Sequence, residues 1–231
     1  MTAYGGSSGA GVIFEYDPGG SGTYSVKHEF DITDGANPNG SLIKSGSKFY
    51  GVTILGGSLG YGVIFEYDPA GSGIYSVKHD FDNTNGSYPY GRLIETGSKF
   101  YGMTNFGGSM EYGVIFEYDP AGSGTYSVKH QFNSTSGRNP SGSLVESGGK
   151  FYGMTPFGGN SDFGVIFRFD PGTSNYTLLK ELDQASGYYP YGDLIAVSKS
   201  AAPVISSFTP SSGCQGSAIA ITGANFTGAT M

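Results

Sequence analysis

Three histidines, His28, His79 and His130, are the residues that first suggest chemistry, because an imidazole can act as a general base or a metal ligand. They lie 51 residues apart at the end of the same pattern, Tyr-Ser-Val-Lys-His, and Lys180 takes this position in the last copy. Catalysis by histidine needs a nucleophile and an orienting acid around one particular ring, which equivalent copies do not provide. We therefore expect the histidines to be structural, on a strand that faces a neighbouring repeat or solvent, and we predict no catalytic residue.

Carboxylates recur in the same way. An aspartate precedes proline once per repeat, and we expect each one to accept hydrogen bonds from its own turn; these are Asp17, Asp68, Asp119 and Asp170. The acid two residues earlier is a glutamate in the first three copies and Arg168 in the fourth, so no fixed acid is required there.

Calcium has a weak candidate in residues 31–35, Asp-Ile-Thr-Asp-Gly, where Asp31 and Asp34 would be the ligands. The later copies of this segment have one carboxylate and then none. Because calcium requires several charged oxygen ligands, the pattern favours turn chemistry over a metal site. The sequence also lacks the glycine-rich phosphate-binding motif, and no Gly-x-Ser-x-Gly elbow is expected between a strand and a helix, because no helix is predicted. We predict neither a metal nor a cofactor.

The composition indicates the elements that hold these residues. The 231 residues include 41 Gly, 18 Tyr and 16 Phe but no Trp, and only 13% are charged, which is typical of short strands joined by tight turns. A net charge of −7 opposes nucleic-acid binding. A single cysteine excludes a disulfide framework, and no apolar run reaches the roughly 18 residues of a membrane span.

An internal repeat predicts the architecture. Gly-Val-Ile-Phe begins at residues 11, 62, 113 and 164, a constant spacing of 51. Each unit contains a short apolar strand, a Lys-Phe-Tyr-Gly strand, the Gly-Val-Ile-Phe strand and a strand that alternates apolar and polar residues. Four short antiparallel strands in about 50 residues is the size of a propeller blade. We predict an all-β protein, a β-propeller built of about four four-stranded antiparallel blades.

The repeat also sets the expected domain boundaries. Residues 1–6 align with 103–108, so the chain is expected to begin inside a second strand. We predict β-propeller repeats over 1–198 and a linker over 199–202. The blades are a partial one at 1–30 and complete ones near 40–81, 91–132 and 142–182, followed by a closing strand at 192–198. Either that strand closes a ring of four blades with the partial one, or further repeats precede Met1.

The order Phe-Tyr-Gly-Met-Thr, Gly-Gly, Gly-Val-Ile-Phe-Glu-Tyr-Asp-Pro resembles the Gloeo/Verruco tandem repeat of bacterial surface proteins over about 1–198, with kelch-like blades. The tryptophan of a kelch fourth strand is missing, and a tyrosine (Tyr75, Tyr126) stands early in that strand instead. The resemblance implies an exported, often surface-anchored protein, hence an extracellular or cell-surface location. It implies no enzymatic activity.

Residues 203–231 differ in composition from the repeats. Pro203-Val204-Ile205-Ser206-Ser207-Phe208-Thr209-Pro210, followed by Ile219-Ala220-Ile221-Thr222-Gly223-Ala224-Asn225-Phe226, resembles the opening of an IPT/TIG immunoglobulin-like domain. Such a sandwich needs roughly 80–100 residues. The resemblance therefore implies a truncated, partial Ig-like β segment of about two strands, poorly held, with Cys214 in a turn.

Sequence variation points to one face of the repeats. In an up-and-down blade the loop between strands two and three and the loop joining strand four to the next blade share a rim, and most differences between repeats fall in these loops. A variable rim on a constant scaffold favours a binding surface, and tyrosine with amides suits sugars or proteins. The alternative is neutral variation, with tyrosines covering the core. The candidate ligand-binding residues are Tyr61, Tyr88, Tyr90, Tyr112, Asn139, Tyr188, Tyr189 and Tyr191.

These observations favour a non-enzymatic repeat protein that binds a glycan or an extracellular protein through this rim. The first alternative is a structural spacer in a longer surface protein. The second is a propeller carbohydrate-active enzyme, which would need two carboxylates about 5–10 Å apart across a cleft. The rim acids do not share an offset between repeats, which gives that hypothesis no support; they are Asp34, Glu111, Asp162 and Asp193.

Overall fold

The computed structural model describes residues 1–19, 22–70, 73–122, 124–197, 204–209 and 220–224, and within them every regular element is a β-strand. The chain divides into two compact units, Met1–Ile195 and Ala196–Met231. The described ranges hold no helix that is long and apolar enough to cross a membrane.

The first unit contains a hairpin and three complete sheets. The hairpin is β1 (Val12–Asp17) with β2 (Thr23–Glu29). In each sheet the four strands pair antiparallel in chain order. The first sheet contains β3 (Ile43–Ser45), β4 (Lys48–Val52), β5 (Val63–Asp68) and β6 (Ile74–Asp80). The second contains β7 (Ile94–Thr96), β8 (Lys99–Met103), β9 (Val114–Asp119) and β10 (Thr125–Gln131), and the third contains β11 (Val145–Ser147), β12 (Lys150–Thr155), β13 (Val165–Asp170) and β14 (Asn175–Glu181). The prediction of an all-β chain with four-stranded antiparallel sheets is confirmed.

Tight turns fix the register of each sheet. Thr96 pairs with Lys99, so the loop between β7 and β8 is Gly97-Ser98, with φ of 59° and 69°. Two positive φ angles in a two-residue loop match the twist of the strands on either side. Register thus follows from the Gly-Ser-Lys sequence at this turn.

The core lies between successive sheets and repeats with the sequence. Phe81, which follows β6, meets Phe116 of β9 edge to face at a centroid distance of 5.4 Å. The equivalent pairs Phe30–Phe65 and Phe132–Phe167 lie at 5.5 and 5.4 Å. These phenylalanines are at most 1% exposed, so each contributes its full apolar area to an interface.

The glycine of Lys-Phe-Tyr-Gly makes room for this packing. A Cβ at Gly102 would lie 2.5 Å from Cζ of Phe116 and 3.2 Å from Leu93. No such approach is sterically allowed, so the ring of Phe116 passes over bare backbone. The pattern that looked like a strand motif is therefore also a packing motif.

The histidines lie against the next sheet. His79 stacks on Tyr126 with ring centroids 3.9 Å apart, and the stacks His28–Tyr75 and His130–Tyr176 are at 3.8 and 4.1 Å. Tyr126 in turn donates its hydroxyl to the carbonyl of Asn85, 2.6 Å away. The repeated histidine is thus a link between consecutive sheets, and of the two expected orientations, towards a neighbouring repeat or towards solvent, it takes the first.

The residues after β14 differ from the expectation. No strand is formed within described residues 192–197, where the closing strand was predicted, and Ile195 and Val197 are 83% and 80% exposed. In each complete sheet the first strand pairs with a Lys-Phe-Tyr strand that follows a two-residue loop. The sequence after Val197, Ser-Lys-Ser-Ala, provides no such partner.

The second unit is described over two strands, β15 (Val204–Thr209) and β16 (Ala220–Ala224), which pair antiparallel. The partial Ig-like fold expected for this segment stays a prediction. The predicted linker at 199–202 and Cys214 lie outside the described residues.

Candidate functional site

Four equivalent segments of the first unit meet at one place. They are 39–41, 90–92, 141–143 and 191–193, each immediately after a proline. Their glycines allow the contact: a Cβ at Gly91 would lie 2.4 Å from the carbonyl oxygen of Gly142. A Cβ at Gly142 would lie 2.5 Å from the carbonyl oxygen of Gly192. Backbone segments that approach this closely require glycine.

Hydrogen bonds join these segments in sequence. The Asn39 amide donates to the carbonyl of Tyr90 at 3.2 Å, and the Arg92 N–H donates to Oγ of Ser143 at 3.1 Å. The Ser143 N–H donates to Oδ1 of Asp193 at 2.5 Å. The four segments line a central cavity of about 320 Å³ whose charged residues are Arg92 and Asp193.

A second cavity of about 450 Å³ shares four residues with the central one and adds five more. We call it the rim groove. The residues that line it are Asn39, Tyr90, Asn105, Phe106, Asn139, Ser141, Pro156, Phe157 and Tyr191. Three of the eight predicted binding residues, Tyr90, Asn139 and Tyr191, thus come together in one concave surface.

Aromatic faces dominate the accessible part of the rim groove. Tyr90, Phe106 and Tyr191 are 36%, 43% and 61% exposed, and the ring of Phe157 lies 6.5 Å from that of Tyr191. The exposed amide of Asn39 lies among them. Flat apolar rings beside amides can contact a ligand that has both apolar faces and hydroxyl groups.

Sequence reasoning missed Phe106 and Phe157. Both precede the double glycine of the loop between strands two and three, and Tyr4 and Leu55 take this position in the earlier repeats. The sequence analysis selected loop positions whose residue type differs between repeats, so it did not select this position, which always holds a large apolar or aromatic residue. The available signal was a large apolar residue at a loop position where exposure is expected: Tyr4 is 76% and Leu55 40% exposed.

Two predicted residues support the groove from one side. Tyr88 contacts Phe106 at a centroid distance of 6.0 Å, and Tyr61 contacts Tyr88 at 5.8 Å. Tyr61 and Tyr88 are half-buried, so they form an aromatic layer beside the groove but do not line it.

The remaining tyrosines lie at the other end. Tyr189 contacts Phe157 at 5.3 Å and Tyr188 at 4.9 Å, and Tyr188 also packs on Phe163. Tyr112 lies below the guanidinium of Arg138, 5.7 Å from its ring centroid. These three extend an aromatic surface away from the rim groove without lining it.

Asn139 has a structural role within the groove. It is only 8% exposed, its φ is 56°, and its amide donates to the carbonyl of Asn105 at 2.9 Å. The Asn105 amide donates back to the carbonyl of Asn139 at the same distance. The positive φ belongs to the position, since Tyr88 and Tyr189, which precede the equivalent prolines, have φ of 56° and 54°. Its amide donor is therefore used by the fold and is not directed at a ligand.

Replacing Asn139 with alanine is expected to lower the free energy of unfolding by about 2 kcal/mol, because the change loses a buried hydrogen bond and adds strain at positive φ. Urea denaturation measures this loss. Asn160→Ala, which removes an exposed hydrogen bond to Glu181, is the control and should cost less than about 1 kcal/mol. Equal losses in the two variants would contradict the assignment.

Charges on the rim are paired. Arg138 forms an ion pair with Asp162, and its guanidinium lies 4.8 Å from the Phe157 ring centroid. The hydrogen bond from Arg138 lowers the pKa of Asp162. The Glu111 carboxylate accepts from the Asn83 amide at 2.9 Å. These acids are used in local contacts, so a cleft with two available carboxylates gains no support.

The calcium candidates take part in turn contacts. Oδ1 of Asp31 accepts from the Thr33 hydroxyl at 2.6 Å and from the Asp34 N–H at 3.1 Å. The hydrogen bond from Thr33 lowers the pKa of Asp31. Oδ2 of Asp34 lies 2.8 Å from Nε2 of His28, in an orientation that does not make a hydrogen bond. Among the residues that the structure describes, no group of three or more potential metal ligands occurs.

The fold and this surface define an all-β tandem-repeat protein with a 51-residue unit. The sequence model of the Gloeobacter/Verrucomicrobia repeat matches residues 1–217, and the chain belongs to this family. The match extends beyond the 198 residues over which the resemblance was expected. No curated protein matches the chain.

Proposed function

We propose that this chain is a non-enzymatic protein that binds a glycan through the rim groove. The observation on which the proposal depends is the set of exposed rings, Tyr90, Phe106 and Tyr191, around a cavity of about 450 Å³ that also contains the exposed amide of Asn39. Aromatic rings stack on the apolar faces of sugars, and amides and hydroxyls pair with sugar hydroxyl groups. A concave surface of this size suits one or two sugar rings better than the broad, flatter contact of a protein partner.

We further propose that the sheets are blades of a β-propeller. In support, each sheet has the sequential four-stranded antiparallel order of a blade, and the segments before the first strands meet around one cavity. Each of these glycines lies against the equivalent glycine of the next repeat, Gly40 against Gly91, Gly91 against Gly142 and Gly142 against Gly192. Nothing in the described chain lies within 4 Å of a Cβ at Gly192. This order of contacts favours an open arc of blades over a closed ring.

The proposal includes an extracellular or cell-surface location, which follows from the resemblance to bacterial surface proteins. It also includes a second unit that begins an IPT/TIG immunoglobulin-like domain. The antiparallel pair β15–β16 is consistent with the first strands of such a sandwich. A spacer function is the alternative, favoured by the regular repetition of the Phe–Phe contacts between sheets.

The test is a glycan array probed with the chain and with the double variant Tyr90→Ala/Tyr191→Ala. We expect the wild type to bind a defined set of glycans and the variant to bind them at least tenfold more weakly, because two stacking contacts are lost. The control is Tyr16→Ala, since Tyr16 is 58% exposed but lies on β1 outside the groove.

Three results would argue against glycan binding at this site. The folded wild type could bind no glycan, which would leave a protein partner or a spacer function. The double variant could bind as well as the wild type, or the Tyr16→Ala control could lose as much affinity as the double variant. Circular dichroism of all three proteins checks that they are folded.

A further inference from the structure

Arg92 is exposed, and its guanidinium has no partner among the residues that the structure describes. The other two arginines of the chain each have one. Arg138 forms an ion pair with Asp162, and Arg168 donates to the hydroxyl of Thr177 at 3.4 Å. A guanidinium has five donors and no acceptor, so the donors of Arg92 are available to a ligand.

Arg92 lies beside the rim groove. It lines the central cavity of about 320 Å³, which shares Asn39, Tyr90, Ser141 and Tyr191 with the groove. Tyr90, which is 36% exposed, precedes Arg92 by two residues, so their Cα atoms are at most about 7 Å apart. The side chain of Arg92 can therefore reach a substituent of a sugar that is stacked on Tyr90.

The two cavities have only two charged residues in the described part of the chain. No residue that lines the rim groove is charged, and the central cavity adds Arg92 and Asp193. These two side chains form no ion pair, and Oδ1 of Asp193 instead accepts the backbone N–H of Ser143 at 2.5 Å. The net charge of −7 belongs to the whole chain, and charges more than about 8 Å away are largely screened at physiological ionic strength. Arg92 therefore provides a local site for an anion.

The fold does not require arginine at this position. The equivalent residues of the other repeats are Ser41, Ser143 and Asp193. The contact of Arg92 with the neighbouring segment uses its backbone N–H, which donates to Oγ of Ser143 at 3.1 Å. Because this contact does not involve the guanidinium, the side chain is free to recognise a ligand.

We propose that the glycan bound in the rim groove is acidic, and that Arg92 pairs with an anionic group of the sugar that stacks on Tyr90. The inference rests on the proposed glycan binding and names its class of ligand, a sugar with a carboxylate or a sulfate group. The guanidinium donates two parallel hydrogen bonds to two oxygens of such a group, and charge-assisted hydrogen bonds are stronger than neutral ones. A neutral sugar of the same shape lacks these bonds and binds more weakly.

The test is titration calorimetry of the chain with matched pairs of oligosaccharides whose two members differ in charge. One arm contains oligomers of galacturonate, glucuronate and mannuronate, each beside its carboxyl-reduced form. The other arm contains sulfated galactans beside their desulfated forms. We expect the acidic member of at least one pair to bind at least tenfold more tightly than the neutral member. The arm in which this occurs identifies the anionic group.

The matching change in the protein is Arg92→Ser, because serine occupies the equivalent position in two other repeats. We expect it to weaken binding of the acidic member at least tenfold and to change binding of the neutral member less than about twofold. The control is Lys44→Ser. Lys44 is exposed, has no carboxylate partner within the described ranges and lies outside both cavities, so loss of its charge should leave binding unchanged.

A second variant tests the sign of the electrostatic effect. Asp193→Asn removes the negative charge of the central cavity and keeps an oxygen that can accept the Ser143 N–H. We expect it to strengthen binding of the acidic member about two- to threefold, because a like charge is removed.

Three results would overturn the proposal of an acidic ligand and leave glycan binding intact. The two members of every pair could bind equally, or only neutral glycans could bind. Arg92→Ser could lose no affinity, or lose it equally for both members. Asp193→Asn could bind the acidic member more weakly than the wild type. A folded chain that binds no glycan in these pairs or on the array would overturn the proposed function as well.

Discussion

Replacing Phe116 with alanine is expected to lower the free energy of unfolding by about 3–5 kcal/mol. Phe116 is fully buried, contacts Phe81 at 5.4 Å and passes directly over Gly102. The bare backbone of Gly102 cannot fill the space left by the ring, so a cavity remains in addition to the lost apolar burial. Equilibrium unfolding in urea, followed by tyrosine fluorescence, measures the change.

The matched control is Phe14→Ala, which makes the same chemical change at the same repeat position. Phe14 is half-buried because the edge of β1 is open. We expect it to lose roughly 1–2 kcal/mol, less than the loss at Phe116. Equal losses would contradict the difference in packing between the hairpin and the complete sheets.

Acidification from pH 7 to pH 5 is expected to destabilise the chain through its stacked histidines. Burial against Tyr176 lowers the pKa of His130 to about 4, and burial lowers the pKa of His79 as well. Their Nε2 atoms are buried and have no hydrogen-bond partner among the described residues. An imidazolium at either position would therefore be poorly solvated.

The direction follows from proton linkage. The unfolded state, with a histidine pKa near 6.5, binds a proton before the folded state does. The contribution of His130 is complete above about pH 6.5 and is lost as the pH falls towards 4. Between pH 7 and pH 5 this amounts to about 2 kcal/mol for His130, with a further loss from His79.

The variant His130→Phe keeps an aromatic stack on Tyr176 and removes the titration. We expect its stability to fall less than that of the wild type between pH 7 and pH 5. The control is Tyr176→Phe, which loses the hydroxyl bond to the carbonyl of Ser136 and retains the histidine. It should be less stable at every pH but keep the wild-type pH dependence. If the stability of His130→Phe fell as much as that of the wild type between pH 7 and pH 5, His130 would be excluded as the cause of the acid destabilisation.

The 51-residue period and the strand sequences were sufficient to predict the three complete sheets, because alternation, glycine turns and the Asp-Pro stops are local signals. Periodicity also predicted that the histidines are structural, but it left open whether they face a neighbouring repeat or solvent. The stack on tyrosine could not be predicted, since it joins residues of two different repeats, such as His79 and Tyr126. Strand patterns do not specify which side chains meet across an interface.

Only part of the candidate site could be predicted from the sequence, because the rim groove also depends on contacts between different repeats. Tyr90 and Tyr191 could be found because they vary between repeats and lie in a rim loop. The position of Asn139 varies too, but its amide donates to the carbonyl of Asn105, so a residue at a variable position can serve the fold. Phe106 and Phe157 occupy a repeat position that holds a large apolar or aromatic residue in every repeat. Only the folded geometry therefore identifies them as part of the groove.

The identical contacts between successive sheets have a consequence for how such genes change. Each interface joins the same residue types at the same offset, as in Phe30–Phe65 and Phe81–Phe116. An in-frame duplication or deletion of one 51-residue cassette therefore rebuilds the same interface at its junction and leaves the other cassettes as they were. Unequal recombination can alter the length of the array without a folding penalty, while point mutations diversify the loops of each cassette separately.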